Sequence, residues 1–290
     1  MLRDAVAKSF IVLIMFLTFV GCSSCVNNSY LFGPGNLFRN KRRSFLKIDI
    51  HKQIFLSKIS STSTNAFSLQ NADYEIDLRT SASAFIVGHY RDITLVATSA
   101  HVCSIRFGNQ LNYFVYDYSP DDFSWFLFEK SAFFLSDYKG RGYKAIVLKY
   151  DFKSDICILG TASISLPAFI ISKHKPLIGE KYYNIASPRG IWGPGLVPLF
   201  DGFYLGAIKT RRDRELSYMF SIPAVGGSSG SPVMNSYGEL IGVIHSAYHG
   251  FPHLSLATTN DQLYLLYRTT LQKLLKDYDK YKIIIDVANH

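Results

Sequence analysis

The chain has 290 residues, 48% of them apolar, with 22 Phe and 19 Tyr, enough for one large or two small domains around a sizeable core. That composition excludes global disorder. The formal net charge is +9, yet the basic residues are scattered, with short clusters only at Lys41-Arg42-Arg43 and at Lys209-Thr210-Arg211-Arg212-Asp213-Arg214. The second cluster lies between strand-like runs and reads as a solvated hairpin tip, so no nucleic-acid partner is expected.

Residues 1–25 read as a targeting segment. Arg3 and Lys8 precede an apolar run, Phe10 to Val20, which exits into Gly21-Cys22-Ser23-Ser24. The run is short for a transmembrane helix. Val20-Gly21-Cys22 resembles the end of a bacterial lipoprotein signal, although Phe19 stands where that box usually carries Leu. The expectation is an exported protein, membrane-attached through a lipidated Cys22. Ordinary cleavage to a secreted or periplasmic form, or an uncleaved anchor, are the alternatives.

Residues 26–78 read as an N-terminal extension or tether, with Gly33-Pro34-Gly35 and the polar run Ser60 to Asn65. Within it, Phe45 to Ile59 has enough apolar residues to pack on the body as a strand. From about residue 79 the pattern changes to short β-rich runs separated by turn residues. Ala84-Phe85-Ile86-Val87-Gly88 and Ile93-Thr94-Leu95-Val96-Ala97 form a hairpin; Tyr113 to Tyr116, Trp125 to Phe128 and Ala145 to Leu148 follow. Such spacing predicts an all-β barrel or sandwich over 79–160. Thr161 to Ser172 reads as a crossover into a second β unit over 161–258. The last segment, 259–290, reads as a C-terminal helix and tail. Asn260 or Asp261 is the expected cap of an amphipathic helix from about Gln262 to Lys276, packed on the second unit.

The most informative stretch is Gly226-Gly227-Ser228-Ser229-Gly230-Ser231-Pro232-Val233. Glycines around a serine let the backbone bend so that a hydroxyl stands forward among amide groups. Gly226-Gly227-Ser228-Ser229-Gly230 formally matches the elbow of α/β-hydrolases, with Ser228 as nucleophile. That elbow requires a helix directly after the serine, whereas Pro232 and a strand-turn-strand pattern follow here. Read one residue on, Gly227-Ser228-Ser229-Gly230-Ser231-Pro232 resembles the G-D-S-G-G-P box of trypsin-like serine peptidases. Upstream, Leu95-Val96-Ala97-Thr98-Ser99-Ala100-His101 resembles that family's apolar strand ending in T-A-A-H. Ser154-Asp155-Ile156-Cys157-Ile158-Leu159 resembles its D-I-A-L-L strand. The order His101, Asp155, Ser229 is the family's own.

The resemblance implies two six-stranded antiparallel β-barrels of the chymotrypsin type, all-β apart from a C-terminal helix. It implies a serine endopeptidase acting on polypeptides through an acyl-enzyme, without cofactor. Ser229 is the implied nucleophile, His101 the base and then acid, and Asp155 the orienter, with the N–H groups of Gly227 and Ser229 forming the oxyanion hole. Ser228 replaces the aspartate of digestive relatives, so their zymogen switch is not expected. Pro223, Ala224, His245 and Ser246 are the implied substrate-pocket residues. No carboxylate stands at the pocket floor, which predicts a small or apolar P1 residue. His245, His249 and His253 stand at i, i+4 and i+8, but Gly250 and Pro252 break the helix this spacing needs, so no metal site is expected. Cys103 and Cys157 each lie two residues beyond a triad candidate; a disulfide and two buried thiols are both open. The competing function is a catalytically inactive, peptidase-shaped module that binds peptides by strand addition.

Overall fold

The computed structural model describes residues 34–58, 74–104, 125–209, 215–248 and 250–289. The targeting segment expected at residues 1–25, the strand expected at Tyr113–Tyr116, the basic tip expected after Lys209, and His249 lie outside them. A short helix, α1 (Pro34–Lys41), belongs to an N-terminal unit ending at Asn40, and the body runs from Lys41 to His290.

Six antiparallel strands close the first barrel: β1 (Phe45–Lys58), β2 (Tyr74–Tyr90), β3 (Ile93–Thr98), β4 (Trp125–Asp137), β5 (Gly142–Asp151) and β6 (Ile156–Ala162), in the order β1-β2-β3-β6-β5-β4. This barrel therefore begins at Phe45 and not near residue 79. The segment expected to belong to an extension is its first strand, paired with β2 from Phe45↔Phe85 and with β4 from Leu46↔Asp137. The physical reason is period-two patterning: Leu46, Ile48 and Ile50 are buried, while Lys47, Asp49 and His51 face outward. Without β1, both β2 and β4 would keep an open edge.

The second barrel contains β7 (Lys181–Ile185), β8 (Leu199–Lys209), β9 (Leu216–Phe220), β10 (Pro232–Met234), β11 (Leu240–Tyr248) and β12 (Phe251–Ala257), closed in the order β10-β11-β12-β9-β8-β7. Its core is aromatic. Tyr182 and Phe220, and Tyr204 and Tyr218, meet edge to face with ring centroids 5.4 Å apart, a favoured arrangement.

Two helices follow. Helix α2 (Ala100–Cys103) lies earlier in the chain; α3 (Asn260–Lys276) and α4 (Tyr278–Asn289) end it. The cap of α3 is Thr259, not Asn260 or Asp261. Thr259 Oγ1 accepts from Gln262 N at 3.2 Å, and Gln262 Oε1 accepts from Thr259 N at 2.8 Å, a reciprocal capping box. Asn260 is buried instead, donating through Nδ2 to the carbonyls of Ser172 and His174 at 2.7 and 3.1 Å. Leu263, Leu266 and Leu274 face inward, whereas Leu265 and Leu275 are exposed. Helix α3 touches β11 of the second barrel and also β5 and β6 of the first. The expected tail is helical: α4 buries Tyr281 and Ile285 and lies against β5 and β6. Among the described residues, no helix is long and apolar enough to cross a membrane.

Candidate active site

Strand β3 is buried along its whole length and stops at Thr98. The chain then makes one helical turn, α2 (Ala100–Cys103), which buries Ala100, Val102 and Cys103 and leaves the His101 side chain 31% exposed. Asp155 stands just before β6 with φ +53, a left-handed conformation that aspartate tolerates better than most residues. The turn before it is held by Asp151, which accepts from Lys153 N at 3.0 Å and from Ser154 Oγ at 2.7 Å.

The two side chains meet. His101 Nδ1 is 2.8 Å from Asp155 Oδ2, and the His101 backbone amide donates to Asp155 Oδ1 at 2.9 Å. Burial pushes the Asp155 carboxyl up, but the hydrogen bond and charge of His101, with a contribution from His245, outweigh it and hold the pKa below the usual carboxylate value. The carboxylate is thus ionised at neutral pH, and it favours the histidine tautomer that leaves Nε2 free to accept a proton. Behind the pair, Cys103 and Cys157 are a disulfide with Cα atoms 6.5 Å apart.

The serine stretch forms a tight turn leading into β10. Four successive carbonyls are engaged: Gly226 O accepts from Arg189 N at 2.6 Å, Gly227 O from Ser83 Oγ at 2.8 Å, Ser228 O from Ser231 N at 3.1 Å and Ser229 O from Ser83 N at 2.9 Å. Of its amides, Ser228 N donates to Val225 O at 2.9 Å, and Gly230 N to Ile244 O at 2.7 Å. Among the described residues, the amides of Gly226, Gly227 and Ser229 have no acceptor. Gly227 has φ +93, and a Cβ there would lie 2.5 Å from Ser187 O, so only glycine fits. Ser228 is buried, its Oγ accepting from Val225 N at 3.3 Å. Ser229 is half-buried, and no hydrogen bond joins its Oγ to His101.

Ala224 is buried and donates to Pro252 O at 2.8 Å; Pro223 and Ser246 are half-buried. His245 is buried, with Nδ1 4.0 Å from Asp155 Oδ2 and Nε2 3.2 Å from Ser217 Oγ, so it stands beside the carboxylate. His253 is exposed. Among the described residues no group of three metal-ligating side chains exists.

The sequence reading overlooks Ser83, which ties the serine turn to the first barrel, and Thr98 and Ser187, which hydrogen-bond to Ser83. Thr98 Oγ1 donates to Ser83 O at 2.8 Å, and Ser187 N donates to Ser83 Oγ at 2.9 Å. The only local signal is a run of small residues, Thr80 to Ala84, inside a strand.

Solved structures share this architecture. The serine endoprotease of Yersinia pestis superposes with a TM-score of 0.53 at 14% identity, over 82% of this chain and 66% of that one, just under two thirds. The active form of the Rv3671c protease of M. tuberculosis gives 0.51 at 16% identity, over 82% and 84%. An inactive serine-to-alanine mutant of the same protease gives 0.52 at 15%, over 83% and 92%. At these identities the likeness is one of fold. No curated protein matches the sequence. The family model of the trypsin-like peptidase domain matches residues 82–243, more than half of the chain, and takes in all three residues of the motif. This chain belongs to the trypsin-like peptidase family.

Proposed function

We propose that the chain is a serine endopeptidase that cleaves polypeptides through an acyl-enzyme. The observation that carries this reading is the pattern of open amides. In a turn whose carbonyls from Gly226 to Ser229 and whose Ser228 and Gly230 amides are committed, Gly227 N and Ser229 N are free to bind an oxyanion, on either side of a buried Ser228. The His101–Asp155 pair supplies the base for Ser229.

In the proposed reaction, substrate binding brings Ser229 Oγ onto His101 Nε2, a contact that is often long in the free enzyme. His101 takes the hydroxyl proton as Oγ attacks the peptide carbonyl, and Asp155 stabilises the imidazolium. The two amides receive the developing negative charge. His101 then gives its proton to the leaving amine; a water, deprotonated by His101, hydrolyses the ester. Pro223 and Ala224 supply no charge, which favours a small or apolar P1 residue. Export, with lipidation at Cys22, completes the proposal, and mass spectrometry of the mature N-terminus tests it.

A fluorophosphonate probe tests the chemistry. Labelling of wild type that is lost in Ser229→Ala and in His101→Ala supports the enzyme. The missing Ser229–His101 hydrogen bond favours one other reading, a peptide-binding module, and a folded wild type that resists the probe would establish that instead.

A further inference from the structure

Ser83 belongs to the first barrel, yet two of the carbonyls of the serine turn in the second barrel end on it. The reason lies in strand pairing. Strands β2 and β3 are last in register at Phe85↔Ala97, and β3 stops at Thr98. Beyond that point β2 at Ser83 keeps β1 on one side, at Lys47, but has no partner strand on the side that faced β3, because the chain has turned into α2. Ser229 O fills the vacant place, accepting from Ser83 N at 2.9 Å.

The hydroxyl does a second thing. Ser187 N donates to Ser83 Oγ at 2.9 Å, and Ser187 Oγ, 3.3 Å away, donates its own proton to Ala82 O at 3.1 Å. The single proton of Ser83 is therefore directed at Gly227 O, 2.8 Å away. Gly227 O belongs to the peptide that links Gly227 to Ser228, midway between the open amides of Gly227 and Ser229. The N–H of that peptide is held by Val225 O at 2.9 Å, and because Gly227 has no Cβ, its carbonyl side needs a second hold to fix the tilt. Ser83 is fully buried, so water does not take over the bond.

We infer that Ser83 is a positioning residue for acyl transfer: its hydroxyl and its amide together set the angle at which Gly227 N and Ser229 N converge on an oxyanion. This rests on the peptidase reading above. An oxyanion hole acts through preorganised donors, so a misaligned one lowers the rate of the chemical step with little effect on substrate binding.

The test compares wild type with Ser83→Ala, Ser83→Thr and Thr161→Ala. Thr161 is the control: it is a buried hydroxyl at the end of β6 opposite to Asp155, donating to Lys144 O at 2.6 Å. Two readouts are taken: kcat and KM on a chromogenic peptide ester, and hydrogen exchange of the amides from Ser228 to Ser231. For Ser83→Ala the expected result is a fall in kcat of about 10–100-fold with KM within about twofold, together with faster exchange in the turn. Ser83→Thr, which keeps the hydroxyl, restores both; Thr161→Ala changes neither. Should Ser83→Ala fail to fold, Ser83→Cys keeps the volume with a weaker donor and carries the same comparison. A wild-type kcat and unaltered exchange in the Ser83 variant overturn the inference, as does an equal loss in Thr161→Ala. A wild type without turnover sinks the peptidase reading alone, and the exchange rates then decide whether Ser83 holds the turn.

Discussion

His101 and Asp155 are joined twice, once through the ring at 2.8 Å and once through the His101 backbone amide at 2.9 Å. The carboxylate therefore fixes both the orientation of the imidazole and the position of the helical turn that carries it. Asp155→Asn keeps the shape but favours the wrong tautomer. It is expected to lower kcat by about 10⁴-fold while leaving KM and the unfolding midpoint near wild type. Steady-state kinetics and urea denaturation check the two halves of this statement.

The two adjacent serines separate two chemistries. Ser228 is buried with its hydroxyl turned back on Val225, whereas Ser229 follows the open amide turn. Ser229→Ala is expected to abolish fluorophosphonate labelling and Ser228→Ala to retain it. The opposite pattern would favour an α/β-hydrolase-like elbow, and mass spectrometry of the labelled peptide reads the outcome.

The Cys103–Cys157 disulfide closes a span of 54 residues. Loop-closure entropy for that length predicts a loss of roughly 4 kcal/mol when it is removed. Cys103→Ser with Cys157→Ser should lower the unfolding free energy by about that amount. The bridge also clamps α2 to β6, so activity should fall at denaturant concentrations where the oxidised protein is still fully active.

Gly230 of the serine turn sits against Ser83 and Thr98 of the first barrel. Its φ is +85, and a Cβ there would stand 2.1 Å from both Ser83 O and Thr98 Oγ1. Gly230→Ala is expected to cost on the order of 3 kcal/mol or more, since neither backbone nor a buried hydroxyl can withdraw. Chemical denaturation measures it.

Acid stability has a local source at Asp137, whose buried side chain accepts from Lys139 N at 2.8 Å, Arg141 N at 3.1 Å and Arg141 Nε at 2.7 Å. Burial pushes this carboxyl up, but those donors prevail and hold it below its ordinary value of 3.8. A depressed pKa contributes stability that is complete above the unfolded value and is lost as pH falls through the folded one. Asp137→Asn should therefore cost about 1–3 kcal/mol at neutral pH. The gap to wild type should narrow as pH drops below 3.8. Thermal melts across pH 2–7 test the sign.

What was legible depended on range. Thr98-Ser99-Ala100-His101, Ser154-Asp155 and Gly227-Ser228-Ser229-Gly230 are local signatures, because the family's chemistry demands particular residues in particular turns. The alternation Leu46, Ile48, Ile50 announces a strand, but its place in a closed barrel depends on Phe85 and Asp137, far along the chain. Helix α4 buries only Tyr281 and Ile285, and Ile283, Ile284 and Val287 are exposed, so its pattern does not advertise a packed face. The role of Ser83 is invisible for the same reason: a serine in a strand acquires meaning only when another barrel's carbonyls arrive.

Helix α4 lies on β5 and β6, and Lys282 reaches back to Asp92, 3.2 Å away, in the turn between β2 and β3. The half of the molecule bearing His101 and Asp155 is thus finished by residues that leave the ribosome after both barrels have been made. During synthesis the first barrel therefore keeps a bare flank along β5 and β6 until Tyr281 and Ile285 have been added.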